Sequence, residues 1–237
     1  MKLTQTLRQI LPLRYCGAVI VAAGNASRMG GIDKVMAPLR GEPMIVRTVR
    51  AFQESDVIRE IVIVTRKDLL EQVRALCAEF DKVKAVVEGG ADRQASVSAG
   101  LTALSKKVEL AAIHDGARPL ISHAVIERTV RAANTYSAAA PAIPVKDTIK
   151  VVQGGIVVAT PDRSKLQAVQ TPQVFDRDLL LGALKNAEKK KLTVTDDCSA
   201  VEAMEMSVKI VEGDERNIKI TTPLDLKIAH AFLEEDL

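Results

Sequence analysis

Three short polar segments carry residue types that suit a phosphate ligand. They are "AAGNASRMGG" from residue 22, "GGADRQAS" from residue 89 and "HDGARP" from residue 114, and each follows an apolar run. Small residues let backbone N–H groups approach an anion closely, and arginine adds a fixed positive charge. Each segment alone also fits an ordinary turn after a buried strand, so their joint position must decide between the two interpretations.

The first segment and the loop that follows it offer two cations. Arg28 lies inside the segment, and Lys34 comes later in a glycine-flanked loop. Such a loop could cover a phosphate group, whereas a lone loop lysine is also typical of a solvated surface position. The spacing differs from the dinucleotide-binding fingerprint, because Ala26 stands at the second glycine position, and no Gly-Lys-Ser/Thr ends the loop as in a P-loop.

The segment "HDGARP" places a carboxylate directly after an apolar run. Asp115 could hold a hard cation such as Mg²⁺ together with a triphosphate, or it could form an Asx-turn or helix N-cap. Arg118 could serve a ligand or simply pair with Asp115. The neighbouring His114 is more typical of a packed structural histidine than of a catalytic base.

The segment "GGADRQAS" places Arg93 and Ser96 about one helical turn apart, where both could face a ligand. Capping of a helix by Asp92 or Ser96 explains the same pattern. In the C-terminal half, Arg163 and Lys219 are the cations most suited to a site, although the segments around them could also be surface charge.

The patterns of other chemistries are missing from the sequence. There is no elbow motif with a Ser-His-Asp order, no HExxH and no metal-spaced set of Cys and His. Glycine-containing loops, arginine, lysine and one well-placed aspartate instead fit phosphoryl or nucleotidyl transfer. In these reactions positioning and charge neutralisation supply most of the catalysis.

Alternating strand and helix patterns surround these segments. The apolar runs are rich in Val, Ile and Ala and are almost uninterrupted, as in strands that are covered on both faces. The alternation predicts an α/β fold, a doubly wound and mostly parallel sheet with helices on both faces. Because ligands of such sheets bind outside the carboxyl ends of the strands, the three polar segments should line one crevice.

A β-hairpin arm is predicted at about 147–163, where "DTIKVVQGGIVVATPDR" places two β-rich runs around a Gly-Gly turn. A hairpin this late in the chain cannot easily join the parallel core, and an isolated two-stranded arm is marginally stable. A second copy of the chain could cover it, which predicts a homodimer.

Composition limits the remaining possibilities. With 237 residues, a net charge of +3 and 3% aromatic residues, the chain favours one domain and gives no support for a nucleic-acid partner. No uninterrupted apolar run is long enough to span a membrane. The three cysteines are odd in number and form no CxxC pair, which predicts free thiols in a reducing, cytoplasmic compartment and neither a disulfide framework nor a zinc site. We expect an N-terminal extension over 1–16 and a single domain over 17–237.

Eight segments in order resemble the 2-C-methyl-D-erythritol 4-phosphate cytidylyltransferase family, nucleotidyltransferases with a Rossmann-like fold. Besides the three described above, they are "DKVMAPLRGEPMI", "PVKDTIK", "DRSKLQAVQTPQVF", "TDDCSAVE" and "EGDERNIKITTPLDL". The resemblance implies transfer of CMP from CTP, with Mg²⁺, to the 4-phosphate of methylerythritol and release of pyrophosphate. It departs at Asp33, where the family usually has proline, and in the loop before Lys34, which is one residue short.

The resemblance also implies a role for individual residues. Arg28, Lys34, Arg163 and Lys219 would be catalytic, and Asp115 would hold Mg²⁺. The residues that would frame CTP are Ala22, Ala23, Gly24, Arg28, Lys34, Gly90, Arg93, Ser96 and Asp115. Those that would bind the sugar-alcohol phosphate are Asp115, Arg118, Thr148, Arg163, Thr171, Thr195 and Lys219, with Thr148 and Arg163 reaching the site of a partner chain. The alternatives are a cytidylyltransferase for another polyol phosphate, such as ribitol 5-phosphate, and a non-catalytic CTP-binding sensor.

Overall fold

Apolar strands form the centre of the protein in the computed structural model, which describes residues 12–24 and 35–234. The strands of the main sheet are β1 (Cys16–Ala22), β4 (Glu60–Thr65), β5 (Val83–Glu88), β6 (Leu110–Asp115), β7 (Ala138–Pro144), β10 (Gln167–Val169), β11 (Gln173–Asp176) and β12 (Lys209–Glu212). Two small hairpins are β2 (Pro38–Leu39) with β3 (Glu42–Pro43), and β8 (Val151–Gln153) with β9 (Ile156–Ala159).

Seven α-helices occur within the described residues. They are α1 (Met44–Gln53), α2 (Leu70–Leu76), α3 (Arg93–Ala103), α4 (His123–Tyr136), α5 (Arg177–Lys190), α6 (Asp197–Glu202) and α7 (Pro223–Glu234), with 3₁₀ turns at Lys67–Leu69 and Arg163–Lys165. None of these helices is long and apolar enough to cross a bilayer.

The main sheet is mixed but mostly parallel. Its order runs β10–β7–β11–β6–β1–β4–β5, and β12 adds to β7 in parallel. β1 pairs in parallel with β4 and β6, and β4 with β5, whereas β10 and β11 run antiparallel to their neighbours. The predicted doubly wound, mostly parallel α/β fold is confirmed.

Both faces of the sheet are buried, as the apolar runs predict. Ile20 and Ile63 belong to one core cluster, beneath α1, α2 and α4, whereas Val19 and Val62 belong to a second cluster, beneath α3, α5 and α6. Successive strand residues point to opposite faces, so a strand covered on both sides must be apolar throughout.

The segment "LQAVQTPQVF" forms two strands, β10 and β11, and not one continuous strand. β10 and β11 pair with different parts of β7, and the register shifts across residues 170–172, although the N–H of Gln170 still donates to the Pro141 carbonyl. Pro172 has no amide hydrogen and cannot donate to a strand ladder, which favours a break at this point. The break places Thr171 beside the carboxyl end of β6.

The hairpin arm forms where it is predicted. Gly154 and Gly155 form its turn with φ values of +57° and +81°, a conformation that glycine adopts at low cost. Its apolar side chains are solvent-exposed in the isolated chain, and Ile156 is 71% exposed.

Candidate active site

One cavity lies at the carboxyl ends of β1, β5 and β6. Its volume is about 230 Å³. The residues that line it are Val21, Ala22, Ala23, Gly24, Val35, Gly90, Ala91, Asp92, Arg93, Ser96, Asp115, Ala117 and Lys219. The predicted convergence of three separate polar segments on one crevice is therefore present in the structure.

Two walls of this cavity meet where Gly89 packs closely against Ala23. A Cβ on Gly89 would overlap the Cβ of Ala23, so the loop after β5 can lie against the end of β1 only without a side chain there. The next residue, Gly90, donates its N–H to Oγ of Ser96 at 3.1 Å. Ser96 is buried and also donates to the Asp92 carbonyl. This hydroxyl thus fixes the loop backbone that faces the cavity.

The N-terminus of α3 brings Arg93 to the same cavity. Asp92 is the N-cap residue, and its carboxylate accepts from the N–H of Ala95 at 2.8 Å. The capping interpretation of Asp92 is therefore confirmed. Arg93 follows at the first helical position, where it lines the cavity.

Asp115 is the electrostatic centre of the cavity. Its Oδ2 lies 2.9 Å from Nζ of Lys219 and 3.6 Å from Nε of Arg118, and its Oδ1 lies 3.9 Å from Nε of Arg93. Burial alone would raise the pKa of this carboxyl, but the three cations outweigh burial and lower the pKa to about 2. Asp115 is therefore ionised at neutral pH.

His114 and Thr171 fix the backbone beside this carboxylate. Oγ1 of Thr171 accepts from the Asp115 N–H at 3.2 Å and lies 2.9 Å from Nδ1 of His114. Because burial lowers the pKa of His114 to about 4, the ring is neutral, and Nδ1 accepts from the hydroxyl while Nε2 donates to the Arg118 carbonyl. The structural interpretation of His114 is the better one.

Lys219 comes from a loop that is anchored on the same segment. The buried side chain of Asn217 donates to the Thr171 carbonyl at 2.9 Å, and Nη1 of Arg118 donates to the Asn217 carbonyl at 2.7 Å. The N–H of Ile220 donates to the Ala117 carbonyl. These bonds flank Lys219 on both sides and direct it toward Asp115.

Other residues predicted for the site lie elsewhere. Thr148, Arg163 and Thr195 do not line the cavity within the described part of the chain, and all three are exposed. Arg163 lies at the base of the arm and donates to the Lys146 carbonyl at 2.7 Å. Arg28 and Lys34 lie outside the described residues, as does most of the predicted N-terminal extension. Their roles stay predictions.

Sequence reasoning missed three buried polar residues around the cavity. Asp197 pairs with Arg93, Gln173 holds the start of α6, and Asn217 supports the Lys219 loop. The segments "VTDDCSA" and "GDERNIKITTPLDL" could be surface charge by sequence alone. The useful signal in "TDD" is that one aspartate is enough to cap a helix, which leaves the second free to face inward.

An ionised aspartate among three cations, at the ends of parallel strands that also present close backbone loops, is an arrangement that suits a nucleotidyltransferase with a Rossmann-like fold. The sequence profile of the 2-C-methyl-D-erythritol 4-phosphate cytidylyltransferases matches residues 16–235. This chain belongs to that family.

Individual relatives are similar over nearly the whole chain. The enzyme of this name from Symbiobacterium thermophilum is 46% identical over 92% of this chain and 92% of its own length. That from Geobacillus kaustophilus is 45% identical over 91% and 96%. Among solved structures, 4-diphosphocytidyl-2C-methyl-D-erythritol synthase from Anaerococcus prevotii superposes with a TM-score of 0.85 at 32% identity, covering 93% of this chain and 96% of that one.

Proposed function

We propose that this protein transfers CMP from CTP to 2-C-methyl-D-erythritol 4-phosphate, in the non-mevalonate route to isoprenoid precursors. An oxygen of the alcohol phosphate attacks the α-phosphorus of CTP in line. The bond between that phosphorus and the oxygen bridging to the β-phosphate breaks, which releases pyrophosphate and leaves the CDP-alcohol. Family membership, at 42–46% identity to relatives of that name, supports this substrate over ribitol 5-phosphate and over a non-catalytic sensor.

One observation carries the proposal: Lys219, Arg93 and Arg118 surround Asp115 at the wall of the cavity. Their charges suit the phosphates of both substrates, because preorganised cations stabilise the charge that develops at the reacting phosphorus. We assign Lys219 to the attacking phosphate and the loop backbone at Ala22, Ala23, Gly24 and Gly90 to CTP. Arg28 and Lys34 complete the catalytic set on the grounds of resemblance.

Asp115 is the residue that would hold Mg²⁺. No group of three or more His, Cys, Asp or Glu side chains that could hold a metal ion occurs within residues 12–24 and 35–234. The single carboxylate of Asp115 fits a Mg²⁺ ion that is bound by one protein ligand and by the phosphates of a substrate. Mg²⁺ is usually bound in this way when its substrate is a nucleotide. When bound, the metal would neutralise charge on the triphosphate. The low pKa of Asp115 keeps the carboxylate available at neutral pH.

We propose a homodimer formed through the arm. Ile156, Val157 and neighbouring valines are exposed on both strands of the hairpin, and contiguous apolar surface of this kind marks interaction sites. Thr148 and Arg163 lie at the base of the arm, away from the cavity of their own chain, which supports a role in the partner's site. The described cysteines are free and buried, which suits a reducing compartment such as the cytoplasm.

The test is pyrophosphate release from CTP with each alcohol phosphate. We expect turnover with methylerythritol 4-phosphate, and an exchange of Lys219 for methionine should lower kcat/KM by about 10²–10³. Lys185→Met provides the control, since Lys185 is an exposed lysine on α5. Faster turnover with ribitol 5-phosphate would contradict the assigned substrate, and CTP binding without turnover would favour the sensor.

A further inference from the structure

Asp197 is a buried carboxylate directly behind the cavity. It stands at the first helical position of α6, and its side chain is 1% exposed. Oδ2 accepts a 2.7 Å hydrogen bond from Nη2 of Arg93, whereas Oδ1 has no hydrogen-bond donor among the described residues. Arg93 is therefore the one side chain in the described chain that directly compensates this charge.

The start of α6 is fixed independently of Arg93. Oε1 of Gln173 accepts from the N–H groups of Asp197 and Cys198, each at 3.1 Å, and Nε2 donates to Asp196. Asp196 also forms a capping box with Ser199. Asp197 thus projects from a backbone that is held on both sides, so its carboxylate can act as a fixed anchor for the Arg93 guanidinium.

Arg93 has a second carboxylate within reach. Its Nε lies 3.9 Å from Oδ1 of Asp115, while its Nη2 is bound to Asp197. Without the negative charge of Asp197, Asp115 becomes the closest anion to the guanidinium. A shift toward Asp115 would remove Arg93 from its place in the wall of the cavity and would occupy the carboxylate at its centre.

We infer that Asp197 is a positioning residue that holds the Arg93 guanidinium in the cavity wall and keeps it from forming a direct hydrogen bond with Asp115. The inference rests on the proposed function, because the cavity is taken as the CTP site. Asp197, the second aspartate of "TDD", would then serve to position Arg93. Gln173, the glutamine of "TPQ", would serve to fix the start of the helix that carries Asp197. A hydrogen bond between charged groups is stronger than a neutral one, which makes the pair an effective restraint.

The test is CTP binding in the presence of Mg²⁺, measured by calorimetry without the alcohol phosphate so that no turnover occurs. Asp197→Asn keeps the shape and removes the charge. We expect CTP to bind about tenfold or more weakly, the scale of one charge-assisted hydrogen bond. The KM for CTP should rise more than the KM for the alcohol phosphate. Asp178→Asn is the matched control, because Asp178 is an exposed aspartate in the first turn of α5.

A second pair of variants separates positioning from general destabilisation. Arg93→Met should weaken CTP binding, and adding Asp197→Asn to it should cause no further loss, because Asp197 acts only through Arg93. This comparison also serves if Asp197→Asn alone is too unstable to purify, since the double variant removes both buried charges. A further loss in the double variant, or unchanged CTP binding in Asp197→Asn, would overturn the inference. Failure of the wild type to bind CTP would instead overturn the proposed function.

Discussion

The charge of Asp115 should stabilise the folded protein in a pH-dependent way. Its pKa falls from an ordinary value of 3.8 to about 2 because Lys219, Arg93 and Arg118 outweigh the effect of burial. A lowering of this size corresponds to roughly 2 kcal/mol of stabilisation at neutral pH. The side chain is 12% exposed, so solvent screens these interactions only weakly.

The sign follows from proton linkage. Because the folded-state pKa is lowered, the unfolded chain binds the proton more tightly. The stabilisation is therefore complete above about pH 4 and is lost as the pH falls toward 2. Asp115→Asn cannot titrate at this position. The difference in the free energy of unfolding between the wild type and Asp115→Asn should therefore decrease by about 1 kcal/mol between pH 7 and pH 3.

Urea denaturation of both proteins, with a chelator present and at several pH values from 7 to 3, measures this difference. The absolute effect of the substitution includes repulsion among the three remaining cations, so the change with pH is the informative quantity. In a Lys219→Met background the nearest cation is missing, and the pH dependence should become shallower. A stability difference that stays constant from pH 7 to pH 3 would refute this account of the site.

Two further predictions concern residues whose roles rest on sequence or on the arm. Lys34→Ala should lower kcat by about 10²–10³ with an unchanged melting temperature, and pyrophosphate release at the wild-type rate would contradict its catalytic role. Val157→Asp places a charge on an exposed apolar strand of the arm, so sedimentation velocity should show a monomer, whereas a dimer as stable as that of the wild type would exclude the arm as the interface.

The periodicity of apolar residues was sufficient to predict the main strands and helices and the edge of the sheet at which the site lies. The apolar runs within β1, β4 and β6 are not interrupted by polar residues because helices cover both faces, whereas a strand with one solvated face would alternate between apolar and polar residues. Parallel strands bring their carboxyl ends to one edge, so the three loops could be placed together without knowledge of any side-chain contact. The Gly-Gly turn of the arm could also be predicted from the sequence, because a positive φ at two successive residues strongly favours glycine.

The pairings inside the site could not be predicted in this way. Arg93 and Asp197 are 104 residues apart in the chain, and they meet only because α3 and α6 pack on the same face of the sheet. The local sequence does not distinguish a buried aspartate from a surface aspartate, because helix-start propensity is the same for both. The contact of Asn217 with Thr171 depends in the same way on where the last loop crosses the break between β10 and β11.

These pairings balance the positive charge that the sequence concentrates at the cavity. Three cations, Lys219, Arg93 and Arg118, would repel one another strongly if no anion lay among them. Asp115 and Asp197 each hold at least one of them, which fixes the geometry at the cost of part of the positive charge. A site with fewer carboxylates would attract phosphate more strongly, but its cations would have to be ordered when the substrate arrives, and preorganisation is what such electrostatic catalysis requires. The gain in order of the cations outweighs the loss of attraction for phosphate, which accounts for Asp115 at the cavity and Asp197 behind it.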